Sequence, residues 1–127
     1  MKTILVDAIH AFVIKGEGIF EDMHKLLEEY PNKKIILTNA DDEEMLKFGL
    51  DQMPYEVFTL KHNPDKTDKE YYNKMLSLLN LDVNDVIYFE HSAEAVENAK
   101  SVGIKTFYYD SETKDLVSLK KFIDDNL

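Results

Sequence analysis

The sequence has no cysteine, which excludes disulfides, thiolate catalysis and zinc–thiolate centres. It has no arginine either: all 15 basic residues are lysine. No guanidinium fork is available to grip a phosphate or carboxylate through two parallel bonds, so any anion site must use lysine and backbone N–H groups. No apolar run approaches the ~20 residues of a membrane-spanning helix. The first residues do not read as a secretory signal, because Asp7 breaks their apolar run and no small-residue cleavage site follows. Positive charge is scarce, with 25 acidic residues against 15 basic and a formal charge of −10. Such a surface repels nucleic acid and anionic membranes. Internal repeats, linkers and low-complexity tracts are also missing. The expectation is a cytoplasmic protein with neither a nucleic-acid nor a membrane partner.

What is present is 127 residues of ordinary globular composition, enough for one domain with a normal core. Thr3–Asp7 is a short apolar run ending on an acid, and reads as a central parallel strand buried on both faces. Phe12–Lys15 and Ile19-Phe20 flank Gly16-Glu17-Gly18, a pattern for a small hairpin. The Gly16-Glu17-Gly18 turn lacks the third glycine and the strand–turn–helix setting of a phosphate loop. Glu21–Tyr30 is expected to be helical, with Met23, Leu26, Leu27 and Tyr30 on one face and Pro31-Asn32 as the stop. Lys34–Leu37 reads as a second strand ending in Thr38-Asn39, and Asp41–Phe48 as a short helix with acids in its first turn and Gly49 behind it.

Tyr55–Leu60 has a loosely alternating strand pattern. A polar loop, Lys61–Lys66, leads to a helix capped by Thr67 or Asp68 that places Tyr71, Tyr72, Met75, Leu76 and Leu79 inward. Asp85–Phe89 reads as the fourth strand and ends in Glu90-His91-Ser92, with Ser92 capping a helix whose inner face is Ala95, Val96, Ala99 and Val102, closed by Gly103. Ile104–Tyr108 is the fifth strand, and Leu116, Leu119, Phe122 and Ile123 mark a last amphipathic helix. Strand alternating with helix implies a parallel sheet with helices on both faces, a Rossmann-like layout.

In such a fold the ligand crevice lies at the C-terminal strand ends. Those ends offer Asp7, Thr38-Asn39, the loop with Lys66, and Glu90-His91. Carboxylates, a hydroxyl and a lysine around one crevice suit phosphoryl transfer. A carboxylate can attack phosphorus and form an acyl-phosphate, a hydroxyl and a lysine can hold the other phosphoryl oxygens, and a second acid can share Mg²⁺ with the nucleophile.

These residues, in this order, resemble the haloacid dehalogenase-like (HAD) superfamily, whose members are mostly Mg²⁺-dependent phosphatases. Its first motif is an apolar strand ending Asp-x-Asp, here Ile4-Leu5-Val6-Asp7-Ala8-Ile9. Its second ends in Thr or Ser, here Ile35-Ile36-Leu37-Thr38-Asn39; its third is a lysine before a helix, here Lys66; its fourth is a strand ending Asp-Asp-Ser, here Val86–Phe89 followed by Glu90-His91-Ser92. The likeness spans nearly the whole chain, with the hairpin as the family's flap and no room for a cap domain. It implies Asp7, Thr38 and Lys66 as catalytic residues, Thr38, Asn39 and Lys66 as phosphate ligands, and Asp7, Glu90 and the Ile9 carbonyl around Mg²⁺.

The departures point one way. The family's general acid/base stands two residues after the nucleophile, and here that residue is Ile9. General acid–base catalysis is worth ~10²–10⁴ in rate. Motif four opens with Glu90, one methylene longer than aspartate, and continues with His91. Mg²⁺ demands near-octahedral oxygen coordination, which a longer acid and an imidazole serve poorly. The motif Asp7-Ala8-Ile9-His10-Ala11 is also similar to that of the dehalogenases proper, but those enzymes use a cap and an arginine, and this chain offers neither. A response-regulator receiver has the same size, but it needs an acid pair after strand one and an aspartate after strand three, where this chain has Thr59-Leu60-Lys61.

Other roles stay open at this level. Lys61 rivals Lys66. His91 replaces the motif's second acid or, as the favoured reading, bonds the neighbouring loop. His10, three residues after Asp7, is a candidate displaced acid/base. His24 falls in a helix and His62 in a loop, and no metal pair is expected among the four histidines. The expectation is therefore an α/β fold, a single HAD-type domain over residues 1–127 with a five-stranded parallel sheet and a small hairpin flap. Its phosphatase-like site is impaired or inactive and is kept for a small phosphorylated ligand or a protein partner. The alternative is an active phosphohydrolase with Asp7 as nucleophile, an aspartyl-phosphate intermediate and Mg²⁺ as cofactor.

Overall fold

A computed structural model describes residues 1–127. In chain order the elements are β1 (Thr3–Asp7), a hairpin of β2 (Val13–Ile14) and β3 (Gly18–Ile19), α1 (Glu21–Glu28), β4 (Lys34–Thr38), α2 (Asp42–Lys47), β5 (Glu56–Thr59), α3 (Glu70–Leu78), β6 (Val86–Glu90), α4 (Ala93–Ser101), β7 (Lys105–Tyr108) and α5 (Leu116–Asn126). Five strands form one sheet in the order β5-β4-β1-β6-β7, with every neighbouring pair parallel. No helix is long and apolar enough to cross a membrane.

The apolar runs explain the layers. All five residues of β1 are buried, because β1 is paired on both edges and covered on both faces. Its alternate residues serve two separate cores, as the period of two in a strand requires. Ile4 and Val6 join Met23, Leu26 and Leu27 of α1 and Leu119 and Ile123 of α5 on one face. Leu5 joins Ile35, Leu37 and Tyr88 with Tyr71, Tyr72 and Met75 of α3 and Ala99 of α4 on the other. Burying such side chains stabilises the fold by about 1.5–3 kcal/mol each.

The chain runs outward from β1 through β4 to β5, then returns to the other edge of β1 for β6 and β7. The switch point between β1 and β6 is where an open sheet leaves a crevice. Register carries the site residues there: Asp7 lies opposite Leu37, Val6 opposite Phe89, and Thr38 opposite Thr59, so Asp7, Thr38 and Glu90 all end at one edge.

Helix ends follow local chemistry, with one difference from the sequence expectation. Asp41 caps α2 through a reciprocal pair, its carboxylate accepting from Glu44 N–H at 2.9 Å and Glu44 Oε1 accepting from Asp41 N–H at 3.1 Å. Ser92 accepts from Ala95 N–H at the start of α4, and Gly103, at φ +95°, ends that helix in the left-handed region. The helix α3 starts at Glu70, not directly after Thr67. Asp68 still bonds the Glu70 N–H at 2.9 Å, and Thr67 is turned to the crevice instead. The hairpin forms as expected, with Val13 facing Ile19 and Ile14 facing Gly18.

Candidate functional site

Asp7, Ile9, Thr38, Asn39, Lys66 and Glu90 all line one crevice of about 300 Å³ at the C-terminal edge of the sheet. Asp7 is 2% exposed, Glu90 1% and Lys66 6%. A buried charge is tolerated only when it is paired and hydrogen-bonded, and here every oxygen of the two acids has a partner. Lys66 Nζ donates to Asp7 Oδ1 and to Glu90 Oε1, both at 2.9 Å. Asp7 Oδ2 accepts from the His91 backbone N–H at 3.1 Å and is also met by His91 Nδ1. Glu90 Oε2 accepts from Ser92 N–H at 3.0 Å and lies 3.1 Å from His91 Nδ1, while the Tyr88 hydroxyl donates to Glu90 Oε1.

The extra methylene of Glu90 has a visible consequence. Its carboxylate folds back along β6 to Tyr88, two residues earlier and therefore on the same face. Tyr88 is in turn 3.2 Å from the Tyr72 hydroxyl. Tyr71 donates to the Thr38 carbonyl at 2.8 Å, so α3 presents a floor of tyrosines beneath the crevice. Lys66 is steered in by two bonds to its own backbone: its N–H donates to Asn39 Oδ1 at 2.8 Å, and its carbonyl accepts from Asn98 of α4 at 3.1 Å.

The charges are strongly coupled. Burial and the nearby Glu90 carboxylate raise the Asp7 carboxyl above its ordinary value, against the lowering pull of Lys66 and His91. Burial would raise Glu90 as well, but the Lys66 ammonium and the bonds from His91 overcome it, and Glu90 is held well below the carboxylate range. His91 is pushed up to about 10, first by its bond to Asp7 and then by Glu90. Burial opposes the charge on Lys66, yet the two carboxylates raise it well above the ordinary lysine value. With both acids ionised, Lys66 and His91 balance them charge for charge.

Asp7, Glu90 and His91 have ligand atoms within 4.8 Å of one another, a spacing that could hold a metal ion. The arrangement does not fit Mg²⁺. All four acid oxygens already accept bonds from the chain, and two of the donors, Lys66 and His91, are cations that would repel a divalent ion seated among them and occupy part of its octahedral oxygen shell. No buried side-chain nitrogen or oxygen lacks a partner.

Several sequence expectations find their place here. Lys66, not Lys61, reaches the acids; Lys61 is exposed and pairs with Asp42 at 3.0 Å. Asn39 spends its side-chain oxygen on the Lys66 loop. His91 does not turn to the neighbouring loop, because the unpaired side of the buried acids draws its Nδ1 inward. His10 does not line the Asp7 crevice; it stands behind His91, ring centroids 5.0 Å apart, in a separate hollow with Ser111, Glu112 and Lys114. His62 was not singled out by its sequence setting, yet it sits in the crevice mouth between Glu44 and Asp65.

No family model and no curated protein matches the chain. Solved structures do. An uncharacterized protein of Listeria monocytogenes serotype 4b aligns with a TM-score of 0.66 at 15% identity, over 87% of this chain and 79% of its own. An uncharacterized protein of Corynebacterium glutamicum aligns at 0.62 and 16% identity, over 98% and 96%. A Thermotoga maritima protein described as a candidate β-phosphoglucomutase aligns at 0.56 and 17% identity, over 85% of each chain. The chain shares their α/β fold. Identities this low speak for the fold alone.

Proposed function

We propose that this chain is a HAD-like domain that binds a small phosphorylated ligand at the β1–β6 crevice and turns it over poorly or not at all. The observation that carries this reading is the state of Asp7, the residue in the nucleophile's position. Both of its oxygens are held, one by Lys66 and the other by His91. Attack on phosphorus needs a nucleophilic carboxylate lone pair; His91 engages Oδ2 twice, and the Lys66 ammonium on Oδ1 draws charge from the oxygen that still has a lone pair to offer, which weakens it as a nucleophile. Two residues on, Ile9 lines the crevice and has no proton to give a leaving group.

The features of a phosphate site remain. The ammonium of Lys66 has three N–H donors, and two are committed to the acids, leaving one for a ligand oxygen. The Thr38 oxygen accepts from Ala40 N–H at 3.2 Å, which leaves its own hydrogen to donate. Lys15 and His62 line the same crevice.

The test is hydrolysis of an aryl phosphate with and without Mg²⁺, beside the Asp7→Asn variant. The expected result is no rate above that variant under either condition, with the phosphate ester still raising the melting temperature by mass action. A rate that requires both Asp7 and Mg²⁺ would establish the other reading, an active phosphohydrolase working through an aspartyl-phosphate.

A further inference from the structure

The loop from Leu60 to Lys66 forms one side of the crevice mouth and delivers Lys66 to its floor. Two of its residues, Lys61 at φ +55° and His62 at φ +64°, lie in the left-handed region without being glycine. Side chains disfavour that region, and two consecutive residues hold it only when surrounding contacts insist. Lys61 N–H donates to Thr59 Oγ1 at 3.0 Å and Asn63 N–H to the Leu60 carbonyl at 3.0 Å, and the side chains add ionic contacts. His62 Nε2 is 2.5 Å from Glu44 Oε1, His62 Nδ1 is 2.7 Å from Asp65 Oδ1, and Lys61 Nζ is 3.0 Å from Asp42 Oδ1. The loop is thus tied to the first turn of α2 at two points.

The ring geometry determines the protonation that closes the tie. An ionised carboxylate only accepts, so both ring nitrogens must carry hydrogen to bond Glu44 and Asp65 together, and only the imidazolium does so. A neutral ring has one N–H and one lone pair. It keeps one bond and turns the lone pair on the other carboxylate, which is repulsive.

We propose that His62 is a pH-sensitive latch: as imidazolium it clamps the Leu60–Lys66 loop onto α2 and narrows the crevice, and on losing its proton it frees the loop.

The surroundings set the direction. From α2 and its cap, Asp41, Asp42 and Glu44 face this region; from the loop itself, Asp65 and Lys61; and from the hairpin, Lys15 lines the same crevice, with Lys66, Asp7, Glu90 and His91 deeper in it. The bond to Glu44 raises His62 above the ordinary imidazole value, Asp65 adds to this, and partial burial opposes it. A raised value means that the clamp is complete below the ordinary titration range and is lost as pH rises through the shifted one. Exposed ion pairs are individually weak, so the latch shifts the population of an open loop and leaves the fold intact. Lys66 N–H, bonded to Asn39 Oδ1 at 2.8 Å, and Asn63 N–H, bonded to the Leu60 carbonyl at 3.0 Å, report on it.

The experiment is an NMR titration of the His62 ring together with water exchange of the Asn63 and Lys66 amides, corrected for intrinsic base catalysis. The wild type is compared with His62→Gln and Glu44→Gln. The expected result is a His62 midpoint above 6.5 and a two- to fivefold loss of amide protection (the order of magnitude of one exposed pair) at the same midpoint. Glu44→Gln should lower that midpoint, and His62→Gln should show no pH step. A His62 midpoint at or below the ordinary value, or protection that does not change as His62 titrates, overturns the proposal. No ligand enters the experiment, so its outcome is independent of whether the crevice binds phosphate.

Discussion

Lys66 is a single ammonium shared by two buried carboxylates, with Asp7 and Glu90 each at 2.9 Å. Replacing it by methionine keeps the volume and leaves two like charges facing each other. Breaking a buried pair from one side costs about 3–5 kcal/mol, so Lys66→Met should lose about that much stability at neutral pH in urea denaturation. The sign with pH follows. Without the lysine, burial and mutual repulsion raise the folded-state values of the acids above their unfolded ones, so their protonated forms are favoured by folding. The deficit should therefore shrink as pH falls toward the carboxylate range. A deficit that grows on acidification would show that Lys66 does not neutralise the pair. At this scale Asp7, Thr38, Lys66 and Glu90 were legible in the sequence, because each stands at the end of an apolar strand or just before a helix. His91 was placed at the same strand end but expected to bond the neighbouring loop rather than the acids, and His62 was read only as a loop residue. The partner of His91, Asp7, is 84 residues away, and Glu44 lies 18 residues from His62 across a loop that must first turn left-handed.

Among the elements, α2 is the shortest helix and has no buried residue, so its ends matter more than its faces. Asp41 and Glu44 bond each other's backbone N–H groups, and Glu44 also takes the His62 ring. Asp41→Ala should cost about 0.5–2 kcal/mol by loss of the cap, measured by chemical denaturation, with α2 fraying first. Unchanged stability would mean that Glu44 and the helix hold without the cap. The strands and helices themselves were readable from apolar runs and capping residues. Their starting points were less so: Lys69 is already helical in φ and ψ, and Asp68 reaches past it to the Glu70 N–H, so the visible cap and the first helical residue do not coincide. Even the two-residue strands of the hairpin were legible, since glycine at φ +84° and +92° lets the turn close between short apolar arms.

Across the whole molecule the formal charge is −10 with histidine neutral, yet in the crevice two acids face two basic side chains, Lys66 and His91. The alternation of strand and helix announced a parallel sheet, but alternation alone cannot order its strands. The apolar run of Thr3–Asp7 marked that strand as central, and the sheet runs β5-β4-β1-β6-β7 with β1 in the middle. What no linear reading supplies is the closed electrostatic circuit through the crevice, because it joins residues 7, 66, 90 and 91 from three connections of the fold. Lys66 and His91 balance the acid pair without a divalent cation. The melting temperature in millimolar Mg²⁺ tests this most directly, for the wild type and for Ile9→Asp combined with Glu90→Asp and His91→Asp. No change is expected for the wild type and a rise of a few degrees for the triple variant, the size expected when an ion is present well above its Kd. A rise of that size in the wild type would contradict it.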